Sequence, residues 1–163
     1  MARQNVARWI YRLSRNYSWK SSYALDRDWA FQDKEGHTRL LLTTDGTITV
    51  TRGYAWDGCT PKFFFLDVVF GIPDGVVDTR TGHPRTYHAS LIHDALYQFL
   101  PEGLPLSRAQ ADRCFLDLMA TRNFALRYVY YAAVRLFGWL TRPIARRIRE
   151  TDGGRRLALP PGS

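Results

Sequence analysis

The segment Ser90-Leu91-Ile92-His93-Asp94-Ala95-Leu96-Tyr97 sets a histidine beside a carboxylate, with a phenol four residues beyond the histidine. Adjacent residues of a helix point about 100° apart, so His93 and Asp94 meet different surroundings, whereas His93 and Tyr97 share a face. Ala89, Leu96 and Leu100 lie on that face too, which directs the imidazole toward packed structure. Asp94 is left to look sideways, toward a metal, a backbone donor or a loop. Further on, Asp112 is followed by Phe115, Leu116 and Met119 at helical spacing and preceded by Ala109, so its carboxylate lies on or beside an apolar stripe. A carboxylate buried there without a donor would lose several kcal/mol or take up a proton. By spacing, His93 is the donor. A carboxylate bonded to one ring nitrogen fixes the tautomer and leaves the other nitrogen to accept a proton from water or from a nucleophile, which is the chemistry of general-base hydrolysis.

Two other groups invite the same question. Asp57 stands in Trp56-Asp57-Gly58-Cys59-Thr60-Pro61, where it either caps backbone N–H groups of a tight turn or approaches His93. If Asp57, Asp94 and Asp112 converged, their oxygens would favour a hard cation, calcium or magnesium. Cys59 is either a small packed residue or a nucleophile with His93 as its base. His83, His88 and His93 recur every five residues, a spacing that does not put ligands on one helical face, so no zinc site is expected from them.

The elements that must position these residues follow from the pattern. With 163 residues, 45% of them hydrophobic, the chain can bury one core without a disulfide or metal staple. Two cysteines and no apolar leader-like stretch make a reducing compartment the default. Val6, Trp9, Ile10 and Leu13 repeat at helical spacing within Ala2 to Arg15, which predicts a basic amphipathic helix in residues 1–20. From Ser22 to Val50 the period changes to two, and Asp45-Gly46 between two such runs predicts a hairpin within an antiparallel meander. A long Gly-, Pro- and Asp-rich loop follows from Gly53 to Arg85, and loops of that length usually serve a site. Three helices come next: about Tyr87 to Leu100, ending before Pro101; one opening at Ser107, whose spacing to Gln110 makes a capping box; and one from about Asn123. The last, apolar over Phe124 to Leu140, reads as a core helix, with an in-plane membrane helix as the alternative. Residues 151–163 read as a flexible tail. The expectation is an α+β fold: one domain over residues 21–150, a small antiparallel sheet and long loop followed by three helices.

The chain resembles the phage and prophage proteins of domain of unknown function 1353 over about Ser22 to Gly138. The residues that carry this are the N-terminal strand pair, Gly53-Tyr54-Ala55-Trp56-Asp57 with Pro61, the His93 to Tyr97 helix, Ala111 to Phe115, and the aromatic-rich Tyr130 to Phe137. The resemblance implies a fold and an association with phage, not a reaction. Locally, His-Asp-x-x-Tyr on one helix and Ala-Asp-x-x-Phe on another are similar to the catalytic helices of phospholipase A2. That resemblance implies His93 as general base, Asp112 as its orienting carboxylate, Tyr97 as a supporting hydroxyl, and Asp94 as a ligand of calcium, with loop carbonyls completing the shell. Where the secreted enzymes carry cysteines flanking the pair, Leu91, Ile92 and Leu96 stand here, and the nearest glycine-rich stretches are Gly53 to Gly58 and Gly71 to Gly75.

The functional expectation is therefore a phage-associated hydrolase acting on a lipid ester with calcium as cofactor. The alternative is a non-enzymatic virion or assembly component in which His93 and Asp112 form a structural pair. The net charge of +8, concentrated in arginines at both ends, suits an anionic membrane surface or other phage proteins as partners, and less so nucleic acid. Such a protein would reside in the host cytoplasm or the phage particle, or peripherally at a membrane.

Overall fold

The computed structural model describes residues 11–56, 82–122, 124–140 and 155–158. The expected α+β fold is found: antiparallel strands followed by three helices. Strands β2 (Tyr17–Lys20), β3 (Trp29–Gln32), β4 (Thr38–Leu42) and β5 (Thr47–Val50) join β7 (Arg155–Ala158) in a five-stranded antiparallel sheet of order β2-β5-β4-β3-β7. A separate ribbon pairs β1 (Tyr11–Arg12) with β6 (Ala55–Trp56).

The register shows how alternation makes the inner face. Trp29 pairs with Leu42, Leu42 with Ile48 and Ile48 with Trp19; in the next row Phe31 pairs with Leu40, Leu40 with Val50 and Val50 with Tyr17. Successive residues of a strand point to opposite faces, so these two rows of large side chains stand on one side of the sheet. The β4–β5 hairpin forms where Asp45-Gly46 placed it. Gly46 N–H donates to Thr43 O at 2.9 Å, and Gly46 takes φ +85°, where a Cβ would meet Tyr23 O at 2.6 Å. Only glycine fits that position.

Helix α1 (Tyr87–Phe99) lies on the inner face, burying Leu91, Ile92, Ala95, Leu96 and Phe99, with the Phe99 ring 5.3 Å from Phe31. Trp56, fully buried, donates from Nε1 to Ser90 Oγ at 3.2 Å and so pins β6 to α1. A short 3₁₀ turn, Leu100–Glu102, and Gly103 at φ +79° lead to α2 (Arg108–Thr121). The predicted capping box is present: Ser107 Oγ accepts from Gln110 N–H, and Gln110 Oε1 accepts from Ser107 N–H at 2.7 Å. Helix α2 packs on α1, and α3 (Arg127–Leu140) on α2. Cys114 is buried in this helical layer, and its thiol is pushed up to about 12, by burial first and then by Asp117, so it is a protonated core residue.

Three expectations need correction. Within the predicted N-terminal helix, Tyr11–Arg12 and Tyr17–Lys20 are strands, because Tyr11 and Leu13 find their burial against β6, with Leu13 N–H donating to Tyr54 O at 2.8 Å; residues 1–10 lie outside the described residues. In the predicted tail, residues 155–158 are strand β7, which satisfies the open edge of β3. The third helix is no core helix over its described side chains, as none from Arg127 to Arg135 is fully buried.

Candidate active site

The site sits between α1 and α2. Asp112 is fully buried on α2, and three side chains converge on it. His93 Nε2 lies 3.2 Å from Oδ1, the Tyr97 hydroxyl donates to the same oxygen, and Arg135 Nη1 of α3 donates to Oδ2 at 3.5 Å. Arg108, the first residue of α2, donates from Nε to the Tyr97 hydroxyl at 2.9 Å and stacks its guanidinium over the Tyr97 ring. Helical spacing explains the cluster. His93 and Tyr97 are one turn apart on α1, as are Arg108 and Asp112 on α2, so two facing rungs meet across the helix pair.

The imidazole is packed between the Tyr97 ring, 4.1 Å away, and the Phe115 ring, 5.0 Å away, leaving 12% of the side chain exposed. This is the inward direction its helical face predicted. On the other side of the ring, Nδ1 lies 3.7 Å from Asp94 Oδ1, and the Asp94 side chain is 36% exposed. Burial works against charge on His93, but the hydrogen bonds it donates to Asp112 and Asp94, with their negative charges, outweigh it and hold the imidazole above its ordinary 6.5. Burial likewise opposes the Asp112 carboxylate, yet hydrogen bonds from His93 and Tyr97 and the charges of His93 and Arg108 keep it below its ordinary 3.8. Burial, then the Asp112 contact, pushes the Tyr97 phenol far up, so it stays protonated.

An ionised carboxylate only accepts hydrogen bonds. Asp112 therefore places the neutral imidazole's proton on Nε2, and the lone pair falls on Nδ1, the ring nitrogen facing Asp94. A proton taken up at Nδ1 would have Asp94 as its hydrogen-bond acceptor.

Four of the five residues singled out for this site are described, and His93, Tyr97 and Asp112 share one network, with Asp94 beside it. Asp57 and Cys59 lie outside the described residues. For a calcium site the fit is poor as far as the described residues go. Asp112 is engaged by His93, Tyr97 and Arg135, which leaves Asp94 as the carboxylate beside Nδ1, whereas calcium takes six to eight oxygens. Among the described residues the grouping with metal-ligand spacing is Asp33, Glu35 and His37 in the β3–β4 turn. There Asp33 already receives Arg39 Nε at 2.7 Å and two backbone N–H groups. His83 and His88 go elsewhere, stacked on Tyr87 and Tyr17.

Comparison with known proteins decides the family. A family model described as "Protein of unknown function (DUF1353)" matches residues 23–134. The chain belongs to this family. No curated protein and no solved structure matches it. The DUF1353 match takes in His93, Asp94, Tyr97, Arg108 and Asp112 and stops one residue short of Arg135.

Sequence reasoning passed over Arg108 and Arg135. Arg108 carried a signal, since it stands four residues before a carboxylate already marked for burial. Arg135 carried another, a lone charge in the apolar run from Tyr128 to Leu140.

Proposed function

We propose that this DUF1353 protein is a phage-associated hydrolase in which His93 is the general base, Asp112 orients it and Tyr97 steadies the carboxylate. The carrying observation is the imidazole held between two carboxylates: Nε2 against fully buried Asp112, Nδ1 against partly exposed Asp94. His93 would take a proton from water at Nδ1 as the water oxygen attacks the acyl carbon, and return it to the leaving alkoxide. The substrate class proposed is a lipid ester, following the likeness of both helices to those of phospholipase A2. Calcium is proposed only as an addition to be tested, with Asp94 and Asp57 as its ligands, and no step depends on it. The proposed setting is the host cytoplasm or phage particle, peripheral to membrane.

Among the described residues Arg108 Nη2 is buried without an acceptor, and a buried donor beside the site suits a substrate oxygen. The second reading, a virion or assembly component, is favoured by the enclosure of His93, in which the pair would fix the register of α1 against α2.

The test is hydrolysis of mixed phospholipid vesicles read by mass spectrometry, with and without calcium, for wild type and His93→Ala. Fatty acid and lysolipid released by the wild type and lost in a folded variant are expected. No release from folded wild-type protein under either condition would overturn the lipid-hydrolase reading.

A further inference from the structure

Helix α3 presents an apolar side to solvent. Among the described residues, the large hydrophobic side chains left exposed are Leu126 (40%), just before this helix, and Tyr128 (62%) and Val129 (51%) in its first turn. Ala125 and Ala132 are exposed beside them, and Arg135 closes the strip. The opposite side is occupied, with Tyr130, Tyr131 and Val134 packed against the core. The outward strip is thus apolar where a surface helix normally carries its charges.

The described charges next to the strip are arginines: Arg122 and Arg127 flank its start, and no acidic residue stands among the described residues from Leu118 to Leu140. Arg127 lays its guanidinium over the Tyr128 ring at 4.8 Å, and Arg122 caps α2 just before. We propose that this strip docks α3 flat on an anionic lipid surface, with Leu126, Tyr128 and Val129 entering the headgroup–acyl boundary and the arginines meeting lipid phosphates. At 14 residues and about 21 Å, α3 is too short for the ~30 Å hydrocarbon layer, so it lies in the plane. The chemistry separates this occupant from the others. A nucleic-acid backbone has no use for an exposed Leu-Tyr-Val strip, and a second copy would set Arg122 and Arg127 against their own like charges. The inference rests on α3 alone and stands whether or not His93 is catalytic.

The experiment is co-sedimentation of the full chain with vesicles of phosphatidylcholine alone and of phosphatidylcholine mixed with phosphatidylglycerol. Binding to the mixed vesicles is expected, weakened by salt, and lowered at least about tenfold in Tyr128→Asp/Val129→Asp, whose sites are already exposed and so leave the fold intact. Val129→Trp should bind more tightly. Equal binding of the double aspartate variant and the wild type would overturn the proposal. So would wild-type protein that ignores vesicles but binds duplex DNA, or that elutes as a dimer which the double variant breaks.

Discussion

Arg108 Nε donates to the Tyr97 hydroxyl at 2.9 Å, and this one bond sets the direction of the protons around Asp112. A guanidinium has no acceptor, so the Tyr97 oxygen must receive it, and the phenolic proton is committed to Asp112. The imidazole then supplies the second proton to the same carboxylate oxygen from Nε2.

Arg108→Met removes that constraint without cutting into the sheet core. Asp112 still places the neutral imidazole's proton on Nε2, so nitrogen NMR should show the same tautomer in wild type and variant. In the hydrolase assay kcat should fall on the order of tenfold with KM little changed, as for a positioning residue. A tautomer mixture in the variant would show that Asp112 needs Arg108 to hold the ring.

Asp112→Asn keeps the shape and one acceptor but removes the charge. Hydrolysis should drop by on the order of 10³–10⁴, as when the carboxylate behind a catalytic histidine is neutralised. His93 should titrate lower than in the wild type, since Asp112 helps hold it up. Asp112→Ala, which strips the partner from His93, Tyr97 and Arg135 together, should cost about 3 kcal/mol in urea denaturation, and a loss below about 1 would mean the network is not buried in solution.

Acid should act on three groups with different signs. His93, raised above 6.5 in the fold, contributes stability that is complete below 6.5 and is lost as pH rises through its raised value. Asp112, held below 3.8, contributes stability present above 3.8 and lost as pH falls through its depressed value. His88 is pushed down to about 4, by burial first and then by Arg122, His83 and Arg15, so it binds a proton more readily when unfolded and costs stability as pH falls from 6.5 toward 4. Between pH about 7 and about 4.5, urea midpoints should therefore decline less in His88→Gln than in wild type. Equal declines would place His88 in solvent.

Gly46→Ala should be destabilising by about 2 kcal/mol, because φ +85° is strained for alanine and its Cβ would press on Tyr23 O. A urea midpoint matching the wild type would show that the hairpin takes another turn.

Much of this was legible where a local pattern has one physical outcome. Asp45-Gly46 made its hairpin, Ser107 with Gln110 made its cap, and a carboxylate on an apolar stripe found the histidine one helix away. What escaped depends on distant chain. Tyr11 is in a strand only because Trp56 stands opposite, and Arg155–Ala158, an unremarkable basic sequence, is a strand only because β3 has an open edge. The third helix, apolar apart from Arg127 and Arg135, leaves none of its described side chains fully buried, since sheet, α1 and α2 already close the core.

The spacing of these partners along the chain also implies an order of assembly. His93 and Asp112 are 19 residues apart on helices joined by residues 100–107, whereas β7 reaches β3 across about three quarters of the sequence, Arg155 to Gln32. Closing the longer loop costs roughly 1.5–2 kcal/mol more in chain entropy. The helical hairpin that holds the site is a low-contact-order unit able to form early, and β7 is suited to zip on last. Until it does, the Trp29–Gln32 edge stands open to pairing with any other strand, so the last four-residue element to arrive is also the guard against aggregation during folding.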